Sequence, residues 1–157
     1  MHDPNRRKLI AGSLFAIAAA AVPAAAAGET DDMRDLLTAY AQAWRAGDVQ
    51  TMVALYHPDF TLYYPGEHAL AGTHRGRQES LRVLAEVGRR TQRQLVEIMD
   101  IMVGERRGAL NVTERWSRGG EEALLERVFV YTAADAKLRD CRLFDADQAV
   151  VARFLGA

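Results

Sequence analysis

The residues best placed for chemistry lie on a strand-like run, Leu110-Asn-Val112-Thr-Glu114-Arg-Trp116, in which two-residue alternation puts Glu114 on one face with Leu110, Val112 and Trp116. If that face lines a cavity, desolvation raises the pKa of Glu114 toward the range of a general acid or base. If Glu114 instead pairs with an arginine near a strand end, its role is structural. The same alternation groups Arg127 with Phe129 and Tyr131, and Asp140 with Arg142 and Phe144. On concave faces, Glu114, Arg127, Asp140 and Arg142 make two acids and two bases inside an apolar cup. Such a set can polarise a carbonyl or hold an enolate, with Arg127 or Tyr40 stabilising negative charge and Glu114 or Asp140 moving the proton. It can equally be a mutually satisfied salt-bridge cluster that orients a ligand or ties strands together. One extra residue at Gly119-Gly120, or a bulge, reverses these faces.

His57, Asp59, Glu67, His68 and His74 offer metal-compatible groups within 18 positions, but their spacing fits no closed site, and no metal or cofactor is expected. His57 before Pro58 reads as part of a helix end, while His68 and His74 are expected as contacts to a ligand from a rim loop. The sequence has no Gly-rich phosphate loop, no Gly-x-Ser-x-Gly elbow and no His-Glu-x-x-His, and Ser80 and Ser117 have no discernible triad partners. Nucleotide enzymes and serine hydrolases are thereby excluded. Cys141, the single cysteine, forms no internal disulfide and reads as a small buried hydrophobe on a strand.

These residues need a domain to position them. At 49% hydrophobic and 26% charged, the 157-residue chain has the composition of an ordinary globular protein. It opens with Asn5-Arg6-Arg7-Lys8-Leu9-Ile10, an Ala-rich run to Val22, a break at Pro23 and small residues to Ala27. That is the basic, apolar, small-residue order of an export leader, and Arg6-Arg7 resembles the twin-arginine motif. Residues 1–27 are therefore expected to be a leader cleaved near Ala26 or Ala27, with an uncleaved anchor as the competing reading. Residues 28–157 are expected to be one domain, periplasmic or secreted, that meets the membrane only in transit. Without Asp3, Arg6, Arg7 and Lys8, 17 basic residues face 20 acidic ones, and no aromatics interleave with Arg89, Arg90 and Arg93 to stack bases. Nucleic acid is not an expected partner.

Apolar residues at Met33, Leu36, Leu37, Tyr40, Ala43 and Trp44 predict an amphipathic helix over 32–46. Gly47-Asp48 should start a short second helix with Met52, Val53 and Tyr56 buried before His57-Pro58 stops it. A strand over 60–64, a loop over 65–72 and a helix over 76–88 follow, the helix with Leu81, Leu84 and Val87 inward. The period then changes to two, predicting strands over 95–103, 109–117, 124–132 and 138–144 before a terminal helix over 147–154. Helices first and an antiparallel meander afterwards define an α+β domain.

Three segments, Tyr40-Ala-Gln-Ala-Trp44-Arg-Ala-Gly47-Asp48, Leu55-Tyr-His57-Pro58-Asp59-Phe60 and Gly72-Thr-His74-Arg-Gly76, with the ending Arg142-Leu-Phe-Asp145-Ala-Asp147, resemble a known family. It is the SnoaL-like and ketosteroid-isomerase-like branch of the nuclear transport factor 2-like superfamily. The resemblance implies a strongly bent, mixed sheet wrapped over the first helices as a cone around an apolar cavity, often in a homodimer formed through the sheet. It places Tyr40 at the oxyanion tyrosine of the isomerases, but puts Tyr64 where they have the carboxylate base and Arg127 where they have the acidic donor. A neutral Tyr64 is a poor base at pH 7, so steroid isomerisation by that mechanism is not expected. Trp44, Tyr56, Trp116, Phe129, Arg142 and Phe144 are expected to contact the ligand. Three functions stay open: a binder of a small, mainly apolar organic molecule, an acid/base isomerase, cyclase or lyase acting on a carbonyl compound through Tyr40, Tyr64, Glu114, Arg127 and Asp140, and a protein that associates through its sheet.

Overall fold

The computed structural model describes residues 24–156, so Arg6, Arg7 and the apolar run to Val22 lie outside the described residues. Helix α1 (Ala24–Ala46) begins upstream of the expected start at Asp32 and carries Ala26 and Ala27 in its backbone. Its core-facing stripe is the predicted one, Met33, Leu37, Tyr40 and Ala43 buried with Leu36 and Trp44 packed at the margin, and Ala41 is buried as well. Gly47, at φ 67°, turns the chain out of the helix. Asp48 then caps helix α2 (Val49–Ala54), its carboxylate accepting from the Thr51 amide at 3.0 Å and the Thr51 hydroxyl at 2.7 Å.

The second helix ends earlier than its spacing suggests. Tyr56 opens strand β1 (Tyr56–Tyr64), so His57-Pro58 runs inside an extended segment rather than closing a helix. Proline disfavours helical backbone in the residue before it, and the pairing register of β1 shifts between Tyr56 and Thr61, where Pro58 has no amide to donate. Met52 and Val53, expected to be buried, are only half-buried on α2. Residues 72–75 form a short strand, β2 (Gly72–Arg75), that the sequence pattern did not announce. Helix α3 (Arg77–Thr91), strands β3 (Gln94–Val103), β4 (Gly108–Arg118), β5 (Glu121–Ala134) and β6 (Lys137–Asp145), and helix α4 (Gln148–Leu155) follow in the expected order.

The strands form one open sheet in the order β2-β1-β6-β5-β4-β3, in which β1 and β6 are the parallel pair and every other pair is antiparallel. This is the expected α+β architecture with a mixed sheet. Helix α1 packs on β3 and β4, and α3 packs on β1 and β2. The approach of α1 is close at Gly108, where an added Cβ would lie 2.4 Å from Leu37 Cδ1 and 3.0 Å from Met33 Cγ. The Ser80 hydroxyl, fully buried, lies 3.1 Å from the Phe60 carbonyl and 2.9 Å from that of His74, tying α3 to the first two strands. Arg90 and Arg118 donate to the Leu155 and Phe154 carbonyls at the end of α4, satisfying acceptors that a helix C-terminus leaves open.

Candidate functional site

Alternation assigns the inner face correctly on two strands and reverses it on the third. Leu110, Val112, Glu114 and Trp116 of β4 are all buried, as are Arg127, Phe129 and Tyr131 of β5. On β6 the buried residues are Leu138, Cys141 and Leu143, a step of three and then of two. The β5–β6 register slips between Thr132 and Ala133, and this bulge turns Asp140, Arg142 and Phe144 to the outer face. There Asp140 accepts from the Thr132 hydroxyl at 2.7 Å, Arg142 lies over the Tyr63 ring at 4.8 Å, and Phe144 is 45% exposed. The expected inner set of Glu114, Arg127, Asp140 and Arg142 is therefore corrected to Glu114, Arg127, Asp145 and Arg93.

Between α1, α2, α3 and the inner sheet face is a cavity of about 330 Å³. Its size is that of a site for a small organic molecule. Tyr40, Trp44, Tyr56 and Phe129 line it, joined by Leu84, Tyr131 and Cys141, whereas Trp116, expected as a ligand contact, is not in its wall. Trp44 stands edge-on to both Tyr40 and Phe129, and Tyr56 stacks on Phe60 with centroids 4.2 Å apart. The hydroxyls of Tyr40 and Tyr56 are hydrogen-bonded, and the Tyr131 ring packs on that of Tyr40 with centroids 5.7 Å apart. Burial pushes the Tyr40 phenol up to about 12, with the two neighbouring hydroxyls partly offsetting it. Tyr56 and Tyr131 are likewise raised, chiefly by burial. Burial pushes the Cys141 thiol up to about 12 as well. At neutral pH these groups are donors, neither bases nor thiolates. Among the described residues no carboxylate lines the cavity, and Arg93 is its one charged wall residue.

Glu114 and Arg127 belong instead to a packed ionic cluster beside it. Arg127 has no exposed surface. Its Nη1 donates to Glu114 at 2.7 Å, its Nε to Asp145 at 2.5 Å and its Nη2 to the Tyr64 hydroxyl at 2.9 Å, and the Trp116 ring lies 4.8 Å from its Cζ. The Trp116 indole donates to Glu114 at 2.8 Å. Burial favours protonated Glu114, but the charges of Arg127 and Arg93 and these hydrogen bonds outweigh it and hold the carboxyl below its usual range. Of the two outcomes the sequence left open for Glu114, the structure has the one in which it pairs with an arginine. Tyr64 is raised by burial and cannot serve as a base.

His68 packs on the Tyr64 ring at 4.3 Å, accepts from the Leu70 amide at its Nδ1, and is held below the usual histidine range by burial. The His74 Nε2 sits 3.0 Å from the Leu70 carbonyl. Both histidines knit the loop before β2, and neither lines the cavity. His57 lies 3.4 Å from Asp135, and among the described residues no three potential metal ligands converge. Asp145 and Arg93 were missed by the sequence reading. The first could have been found from the buried Cys141–Leu143 step, which continues to position 145 on the same face. The second sits in a connection where no periodicity applies.

The model of the SnoaL-like domain family matches residues 37–141. Among solved structures, the chain is similar to Bal32a from a soil-derived mobile gene cassette, with TM-score 0.73 and 19% identity over 81% of this chain and 98% of that one. It is also similar to a Xanthomonas campestris protein of unknown function with a cystatin-like fold, with TM-score 0.72 and 26% identity over 78% and 97%. A putative SnoaL-like polyketide cyclase from Jannaschia sp. CCS1 aligns with TM-score 0.64 and 16% identity over 82% and 94%. Among curated proteins, none matches the chain.

Proposed function

The chain belongs to the SnoaL-like domain family, and on that premise we propose that it is an exported protein whose cavity holds a small, mainly apolar organic molecule without turning it over. The observation that carries this reading is the chemistry of the cavity wall: aromatic and aliphatic side chains, a chain of neutral phenols and no carboxylate among the described residues. Abstracting a proton at pH 7 needs a base poised near neutrality and within reach of the substrate. Glu114, an inward carboxylate outside the cavity wall, is bonded at 2.7 Å by Arg127 and at 2.8 Å by Trp116.

Titration with the neutral probe 2-acetonaphthone tests this. We expect saturable one-to-one binding with Kd on the order of 10–100 µM, the range a ligand of that size reaches in an apolar pocket. The binding should quench Trp44 fluorescence, and Trp44→Phe should lose most of the signal while calorimetry still detects the complex. Non-saturable binding, or none, would contradict the reading.

One observation favours a second reading, an isomerase, cyclase or lyase acting on a carbonyl compound. The Tyr40 hydroxyl lines the cavity, bonded to that of Tyr56, and a neutral phenol there can donate to a carbonyl oxygen. The Jannaschia neighbour is described as a putative polyketide cyclase. In that reading the substrate must bring its own base or recruit water.

The proposal extends to location and assembly. A leader cleaved near Ala26 or Ala27 delivers the domain to the periplasm or beyond, and a second copy pairs through the outer sheet face, where Met99, Leu124 and Phe144 are exposed. Replacing Arg6 and Arg7 together by Lys should leave the full-length precursor in the cytoplasm, as mass spectrometry of cell fractions would report. Undiminished export of that variant would assign the leader to the general secretory route.

A further inference from the structure

We propose that the cavity selects an organic anion, an apolar body whose carboxylate is held by the Arg93 guanidinium. This inference rests on the ligand-binding reading above and names the class of molecule for the same site. Arg93 lies in the short link between α3 and β3, just after Gln92, whose left-handed backbone at φ 42° ends the helix. The link brings the Arg93 side chain, 22% exposed, against the cavity wall. Gly88 of α3 stands beside it, a Cβ there lying 3.9 Å from the Arg93 Nε, an ordinary contact distance.

The hydrogen bonding of Arg93 is mostly unspent. Its one partner among the described residues is Glu114, at a long 3.4 Å from Nη1. Glu114 is already bonded at 2.7 Å by Arg127 and at 2.8 Å by Trp116. A guanidinium carries five N–H donors in a planar fork, so four remain for a ligand. In an otherwise apolar cavity that fork suits a carboxylate, which it can grip with two parallel bonds. The Arg93 charge also reaches the Tyr40 and Tyr56 phenols, where it opposes the effect of burial. An anionic head between guanidinium and phenols would meet donors from both sides.

The test compares 2-naphthoate with its neutral near-isostere 2-acetonaphthone by calorimetry at pH 7, on the wild-type chain and on Arg93→Met and Arg93→Lys. The wild type should bind the naphthoate at least about tenfold more tightly than the ketone, the scale of a charge-assisted hydrogen bond. Arg93→Met should bring that ratio to about one, and Arg93→Lys should keep part of the preference. Added salt should weaken the naphthoate complex only. Thermal unfolding of each variant checks that the fold persists, as Glu114 keeps Arg127 and Trp116 in all of them. Equal affinities in the wild type, or a preference that survives Arg93→Met, would overturn the inference and leave ligand binding standing. If neither probe binds the wild type, the cavity reading fails and the inference fails with it.

Discussion

Replacing Arg127 by Met should lower folding stability by about 3–5 kcal/mol, the usual cost of removing one partner from a buried ion pair. In a domain of this size that corresponds to a fall in Tm on the order of 10–20 °C. The effect is large because Arg127 faces two desolvated carboxylates: the Glu114 side chain is 1% exposed, that of Asp145 is 0%, and both bond to the guanidinium. Methionine fills the space but leaves two buried negative charges, of which only Glu114 keeps an arginine beside it, Arg93 at 3.4 Å. Adding Glu114→Gln to Arg127→Met should recover part of the loss, because it deletes one uncompensated charge.

The pH dependence should change sign between the two proteins. In the wild type the folded-state pKa of Glu114 is depressed, so its contribution is present above the unfolded value near 4.5 and lost as pH falls through the lower folded value. In Arg127→Met, burial loses its main opponent and Glu114 should titrate above its unfolded value, so acidification toward pH 5 should stabilise the variant. Chemical denaturation across pH 4–7 measures both slopes. A loss under about 1 kcal/mol, or parallel slopes, would show that the cluster is solvated and not the packed unit described above.

Gly88→Leu should abolish binding of both naphthalene probes, weakening it by about 100-fold or more, while the fold stays as stable or becomes more so. Gly88 lies in the α3 interior, lines the cavity and has ordinary backbone, and a Cβ there meets nothing nearer than the Arg93 Nε. A leucine at that point projects into the space the ligand needs. Replacing an interior helix glycine by leucine gains on the order of 0.5–1 kcal/mol in helix propensity, and thermal unfolding of the variant separates loss of binding from loss of fold. Unchanged affinity in this variant would move the binding site elsewhere on the molecule.

Much of this geometry was legible in the sequence. The α1 stripe and the alternation of β4 and β5 placed Tyr40, Trp44, Glu114, Arg127 and Phe129 on the inner face, because regular elements have one period and one buried side. Reading failed where the period breaks. The bulge in β6 exchanged Asp140, Arg142 and Phe144 for Cys141, Leu143 and Asp145, and only the odd step from Leu138 to Cys141 hinted at it. Pro58 drew Tyr56 out of the second helix and into β1. For Glu114 the sequence left two outcomes open, a carboxyl raised on a cavity wall or one paired with an arginine. Desolvation can be inferred from an apolar face, but the arginines that overcome it come from β5 and from the link after α3, whose approach only the fold reveals. Arg93 was noticed in the sequence only as one of several clustered arginines. Arg89 and Arg90 pair with Glu86 at the surface, and Arg93 alone of the three turns inward.

The most direct test is a crystal structure of the domain soaked with 2-acetonaphthone. A binding protein of the kind proposed should show the naphthalene rings between Tyr40, Trp44 and Leu84, inside the cavity and clear of Glu114 and Arg127. Electron density for the probe only on the outer sheet face, or a cavity closed by its own side chains, would contradict the proposed function.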